Sequence, residues 1–143
     1  MIRDSKIFDL IIIGGGPAGV AAGVYSARKR LKTAVIAKEI GGQSTVSENI
    51  QNWIGTVSIS GIELGKSLKK HLLAYAEDVL TLKEGELVNK LEKKGENFFV
   101  TTNKGTYEAK AVLITTGSRR RRLLVSGADK FENKGVTYCA SCD

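Results

Sequence analysis

Residues 8–39 read FDLIIIGGGPAGVAAGVYSARKRLKTAVIAKE, and the succession of residue types in this stretch decides the fold class. Phe8 to Ile13 is an apolar run of the kind found in a strand buried on both faces. Gly14-Gly15-Gly16-Pro17-Ala18-Gly19 follows at once, a GxGxxG turn. Pro17 suits the first position of a helix, the alanines after it continue one, and the basic residues near Arg30 suit its C-terminal dipole. Thr33 to Ala37 then reads as a second strand. The whole is a βαβ unit of about thirty residues, and it predicts an α/β fold with a doubly wound parallel sheet.

Each glycine has a physical task. Gly14 permits the tight turn, Gly16 lets a pyrophosphate approach the backbone, and Gly19 lets the helix pack close to the strand. The helix N-terminus offers N–H groups and the positive end of a dipole to the phosphates. Gly23 continues the close packing. Turns of this kind are followed about twenty residues on by an acidic residue for the ribose hydroxyls. The strand ends on apolar Ala37, so Glu39 is the candidate; the competing reading is a solvated loop charge.

The remaining composition bounds the answer. A chain of 143 residues forms about one domain and buries roughly two thirds of its unfolded surface. Sixteen Gly against one Pro favour close backbone approaches over disorder. The net charge of +7 is scattered apart from Arg119 to Arg122 and lacks interleaved aromatics, so no nucleic-acid partner is expected. Leu10 to Ile13 is too short for a signal or a membrane span, which predicts no membrane association and a cytoplasmic protein. In that reducing compartment the two cysteines, Cys139 and Cys142, are catalytic or metal-binding rather than a staple.

Further along, residues 38–60 show no sustained periodicity and read as a long functional connection. Ser60 and Glu63 stand in capping-box spacing at the start of a second helix, with Ile62, Leu68, Leu72, Tyr75 and Val79 as its apolar stripe. His71, the sole histidine, reads as a surface residue on it. Val79 to Leu82 is expected to be a buried strand. Glu86 to Glu92, Asn97 to Thr102 and Thr106 to Ala109 form a small antiparallel meander, with the turn Asn103-Lys104-Gly105. Residues 111–117, AVLITTG, read as one more buried strand ending in a glycine turn.

GGGPAGVAAGVYSARK, KEIGGQS, ENIQNWIG, VLITTGS and GVTYCASCD occur in an order and spacing that resemble the low-molecular-weight thioredoxin reductases and the related flavoprotein subunit of alkyl hydroperoxide reductase. The resemblance runs from Phe8 to Asp143 and matches the N-terminal part of that family. It implies an FAD-type Rossmann domain over residues 1–117, with residues 118–143 as a linker and the start of an NAD(P)H domain that carries the CxxC. It further implies FAD on the turn of Gly14, Gly15, Gly16, Pro17, Ala18 and Gly19, with Glu39 on the adenosine ribose. Gly42 and Gln43 would follow the pyrophosphate and ribityl chain, Asn52 the flavin end, Val88 the adenine, and Thr116 and Gly117 the strand-end turn beside the cofactor. Trp53 either walls the flavin or anchors the long loop, and the second reading is preferred.

The resemblance also assigns the cysteines to an electron relay from NADPH through FAD to a thioredoxin-like protein disulfide. Cys142 would face the flavin, Cys139 would attack the partner disulfide, and Asp143 would handle protons. One thiolate attacks and the other resolves the mixed disulfide, which explains the spacing. A zinc site needs four ligands, and two cysteines with a distant His71 do not supply them, so no metal is expected. Ile54, Thr115 and the stretch RRRRLLVSG depart from the family pattern, in which Pro, Ala and prolines are common at these places. The family's NADPH site lies in a later domain with its own glycine motif, and this chain has no second GxGxxG. The expectation is therefore a chain that does not turn over alone, with a homodimer left open. A non-catalytic nucleotide-binding or interaction module, and an NAD(P)-binding domain, are the rival readings.

Overall fold

The computed structural model describes residues 7–76, 78–118, 121–131, 134–136 and 138. Cys139, Cys142 and Asp143 lie outside the described residues. Strand β1 is Phe8–Ile13, helix α1 Pro17–Arg28, β2 Thr33–Ala37, α2 Gly61–Ala74, β3 Leu80–Glu84, β4 Val88–Lys94, β5 Asn97–Thr102 and β6 Thr106–Ile114. Among the described residues these strands form one sheet in the order β3-β2-β1-β6-β5-β4. The first four in that order run parallel, and β4, β5 and β6 form an antiparallel meander.

The apolar runs of β1 and β2 are explained by two cores, one on each face of the sheet. Successive strand residues point to opposite faces. Ile12, Val35 and Ala37 face α1 and α2, packing with Val20, Val24, Ala27, Leu72 and Leu80. Ile11, Ile13, Ala34 and Ile36 face the meander and meet Val100 and Ala109. Apart from Asp9, bonded to Lys110, and Thr33, whose hydroxyl donates to the Leu31 carbonyl, these strands carry apolar side chains on both faces, so the sequence shows no alternation there.

Two helix-entry signals act as expected. Pro17 opens α1, with Gly16 as its N-cap. Ser60 accepts from the Glu63 amide, and the Glu63 side chain accepts from the Ser60 amide, so both halves of the capping box form. The stripe expected on α2 is corrected. Leu64 and Leu72 are buried with Leu68 packed beside them, whereas Ile62 is 60% exposed, Tyr75 is exposed and Val79 lies past the helix end. Small residues set this rotation: a Cβ on Gly61 would stand 1.8 Å from the Ser44 carbonyl oxygen, and one on Gly23 would stand 2.6 Å from Leu72 Cδ1. The glycine face of α2 can approach backbone, and the Ile62 face cannot. His71 is exposed and tilted against Tyr75, ring centroids 5.6 Å apart.

Three further expectations change. Leu80–Glu84 forms the strand read as Val79 to Leu82, and it lies at the sheet edge with only Leu80 buried, because β2 alone flanks it. The segments Thr106 to Ala109 and 111–117 merge into the single strand β6. Its first half pairs with β5, its second half with β1, and exposed Lys110 at the handover bonds to Asp9 at 2.7 Å without interrupting the strand. The second half is not buried as expected. β5 accompanies β6 no further than Ala109, and Leu113 and Ile114 are 41% and 62% exposed. Within residues 38–60 a 3-10 turn spans Gly42–Val46, and an isolated bridge pairs Ile50 with Ile59. The 103–105 turn forms as read, with the Thr102 amide donating to the Gly105 carbonyl at 2.8 Å. Among the described residues no helix is long and apolar enough to cross a membrane.

The meander is locked to the sheet by a buried carboxylate. Glu86, in the loop after β3, accepts from the Thr102 hydroxyl at 2.9 Å and the Tyr107 hydroxyl at 3.0 Å. Its own amide donates to the Ala37 carbonyl. One residue, through its backbone amide and its carboxylate, thereby joins the end of β2 to β5 and β6.

Candidate functional site

The candidate site lies at the carboxyl ends of the parallel strands, where ligands bind in open α/β sheets. Its floor is the glycine turn. Gly14 has φ +121° and donates to the Ile36 carbonyl at 2.9 Å, so the chain turns sharply as β1 ends. A Cβ on Gly14 would stand 2.2 Å from the Thr115 carbonyl oxygen, and one on Gly15 would stand 2.5 Å from the Glu39 carbonyl oxygen. Gly19 is closed in against Gly14. Gly16 differs: among the described residues nothing lies within 4 Å of a Cβ placed on it. Gly14, Gly15 and Gly19 are filled by the protein's own backbone, and the space beside Gly16 is open.

That space is framed by the long connection. Gly41 donates its amide to the Gly15 carbonyl at 2.8 Å, and Gly42, with φ +56°, comes so near that its Cβ would stand 3.2 Å from Gly16 Cα. Helix α1 starts here on Pro17 and Ala18, with no side-chain cap at Gly16 and no acidic residue in its first turn. The helix N-terminus therefore presents its positive dipole end uncompensated by a carboxylate of its own. Glu39 is exposed beside the turn, two residues past the end of β2.

An open cleft of about 340 Å³ begins at Gln43, the residue after Gly42. It is lined by Gln43, Ser44, Ser47, Ile50, Asn52, Trp53, Leu64 and Ser118. The bridge between Ile50 and Ile59, closed by amide bonds of 2.8 and 3.1 Å, and a turn from the Thr56 amide to the Trp53 carbonyl shape the loop that carries Asn52 and Trp53. Gln43 and Asn52, twin amides able both to donate and to accept, are thus brought to one cleft from separate parts of the connection. Trp53, 37% exposed, is a wall of it.

The other candidate residues fall around this centre. Thr116 and Gly117 follow β6 directly and are exposed, Gly117 with φ +64°, and they lead to Ser118 in the cleft. Val88 does not line the cleft; it opens β4 and packs on the meander core with Ile11, Ile13 and Ala34. Ser44, Ser47, Ile50, Leu64 and Ser118 carry no sequence signal for the cleft. Ile50 and Leu64 are apolar residues like many others, and serines are common in any connection. Thr115, read only as a departure from a pattern, bonds to the glycine turn through its hydroxyl. Among the described residues no group of three or more His, Cys, Asp or Glu side chains is arranged to hold a metal ion.

Residues 8–143 match the family model described as pyridine nucleotide-disulphide oxidoreductase. The chain belongs to this family. It is 39% identical over 140 residues to an NADH dehydrogenase of Bacillus subtilis and 36% identical over 142 residues to an alkyl hydroperoxide reductase component of Xanthomonas campestris. Those alignments take in 98% and 99% of this chain and 27% of either relative. Among solved structures, the thioredoxin reductase of Streptococcus pyogenes superposes with a TM-score of 0.82 at 37% identity, covering 96% of this chain and 44% of that one. The thioredoxin reductase of T. acidophilum gives 0.79 at 36%, covering 97% and 45%. The fold of the pyridine nucleotide-disulphide oxidoreductase chain is the α/β, Rossmann-type FAD-binding domain of thioredoxin reductases.

Proposed function

We propose that this chain is the FAD-binding, N-terminal portion of a thioredoxin reductase-like NAD(P)H:disulfide oxidoreductase. The observation that carries the reading is the contrast within the glycine turn. Gly14, Gly15 and Gly19 are packed by protein atoms, whereas Gly16 opens onto free space at an uncapped helix N-terminus. That arrangement fits a pyrophosphate. When bound, FAD would supply electron transfer between a nicotinamide and a disulfide.

The chain's own residues divide the work of holding it. The Gly14–Gly19 turn and Gly42 receive the pyrophosphate, and Glu39 accepts from the adenosine ribose. Gln43 and Asn52 offer amide hydrogen bonds to the ribityl chain and the flavin ring, with Trp53 as an apolar wall, and Thr116 and Gly117 close the strand-end side. Val88 is assigned to the adenine by family pattern, and its packing on the meander core supports a framework role instead. Residues 1–117 form the FAD-binding part. Residues 118–143 lead into an NAD(P)H domain and carry the Cys139–Cys142 relay, with Asp143 as proton carrier. NADPH is the proposed reductant, a thioredoxin-like protein disulfide the proposed substrate, and the cytoplasm the proposed location.

Visible absorption of the purified chain tests the flavin reading. Flavin bands that co-purify, or a thermal shift with FAD that NAD and NADP do not give, are the expected results, since a ligand of the folded state raises apparent stability. Colourless protein that no nucleotide stabilises would instead make it an interaction module. The chain alone is proposed not to turn over. Multiple turnovers of NADPH-dependent dithiol formation by it would overturn that part.

A further inference from the structure

The Thr115 hydroxyl stands 3.0 Å from the Ile13 carbonyl oxygen and 3.3 Å from the Gly14 carbonyl oxygen, and it donates to them. The Thr115 amide donates to the same Ile13 carbonyl at 2.8 Å. The hydroxyl also lies 2.8 Å from where a Cβ on Gly19 would stand, so it occupies the seam between the end of β1, the start of α1 and the end of β6. Gly14 is held from the opposite side by its own amide bond to the Ile36 carbonyl on β2.

We propose that Thr115 is a positioning residue for the dinucleotide site. Its hydroxyl clamps the Ile13 and Gly14 carbonyls and so fixes the turn in the shape that leaves Gly16 open. Beyond Ala109, β6 has lost its pairing with β5, and its last residues are exposed. Backbone pairing to β1 alone would leave the strand end free to fray, taking one wall of the turn with it. The side-chain bond adds a second tie at the place where fraying would reach the site. The inference rests on the flavin reading for the identity of the ligand, and on the geometry of the turn for the role of the hydroxyl.

The experiment compares the unsubstituted chain with Thr115→Val, Thr115→Ser and Thr115→Ala. FAD affinity is read by titration, with ADP as a second probe lacking the flavin, and hydrogen exchange is read at the Gly14 amide without ligand. Thr115→Val places a methyl where the hydroxyl donates, and it should weaken FAD and ADP alike by about tenfold and speed exchange at Gly14. Thr115→Ser should restore both to within roughly twofold, a rescue that a loss of packing alone would not give. If Thr115→Val does not fold, Thr115→Ala, which leaves space instead of a methyl, takes its place in the comparison. A valine or alanine variant that folds and binds FAD within roughly twofold of the unsubstituted chain overturns the proposal. An unsubstituted chain that takes up no FAD overturns the flavin reading instead. In that event faster exchange in the valine variant with serine rescue supports the clamp, and unchanged exchange overturns it.

Discussion

Gly19 lies so close to Gly14 that a Cβ on Gly19 would stand 2.0 Å from the Gly14 carbonyl oxygen. Neither atom belongs to a flexible side chain, so a methyl there must move either α1 or the end of β1. Gly19→Ala is therefore expected to destabilise the fold by about 3 kcal/mol, read by urea denaturation. Stability unchanged by this substitution would contradict the packing of α1 on β1.

Gly16→Ala separates folding from binding. Gly16 has φ −73°, which alanine adopts freely, and the space beside it is open. Stability should change by less than about 1 kcal/mol, while FAD affinity should fall by at least about tenfold, because the methyl enters the space assigned to the pyrophosphate. An alanine variant that binds FAD normally would remove the main support for the proposed site.

Trp53 is the sole tryptophan, which makes it a reporter of the cleft. FAD titration should quench its fluorescence in proportion to occupancy, and Gln43→Ala and Asn52→Ala should each shift the titration by about tenfold. Quenching by FAD whose midpoint both amide variants leave unchanged would show that neither amide holds the flavin.

The capping box predicts an acid limit. The Ser60 side chain, and then its backbone amide, bond to the Glu63 carboxylate and hold it below its ordinary value of 4.5. A carboxylate whose pKa is lower in the folded state stabilises the fold above its unfolded value, and loses that effect as the pH falls through the folded one. Stability should thus decline as the pH drops below about 4.5, and Glu63→Gln should flatten that part of the profile. A profile that Glu63→Gln leaves unaltered would show that the box contributes nothing to acid sensitivity.

Tyr107 predicts the alkaline limit. Burial, and then its bond to Glu86, push its phenol above the ordinary value of 10.0. A raised folded pKa gives stability that is whole below the unfolded value and is lost as the pH rises through the folded one. Tyr107→Phe should cost about 1 to 2 kcal/mol at neutral pH by removing one donor from buried Glu86. It should also weaken the fall in stability above pH 10. A phenylalanine variant as stable as the parent would show that Thr102 alone satisfies the carboxylate.

The order of residues was enough to specify the local elements whose signals sit within a few positions of one another. Phe8–Ile13, Pro17–Arg28 and Thr33–Ala37 follow from an apolar run, a glycine turn with proline and a second apolar run, and the Ser60–Glu63 box follows from spacing alone. Glycine and proline act through their own backbone, so neighbours far along the chain cannot override them. Long-range packing settled what depends on partners distant in sequence. The rotation of α2 was set by Gly61 against Ser44 and not by the most apolar stripe. The union of residues 106–114 into one strand was set by two different neighbours, β5 and then β1. The gathering of Gln43, Asn52, Trp53 and Ser118 into one cleft, and the Thr115 clamp on Gly14, join residues that no periodicity links. Such contacts form between backbones brought together by sheet order, and sheet order is a property of pairing across the whole chain.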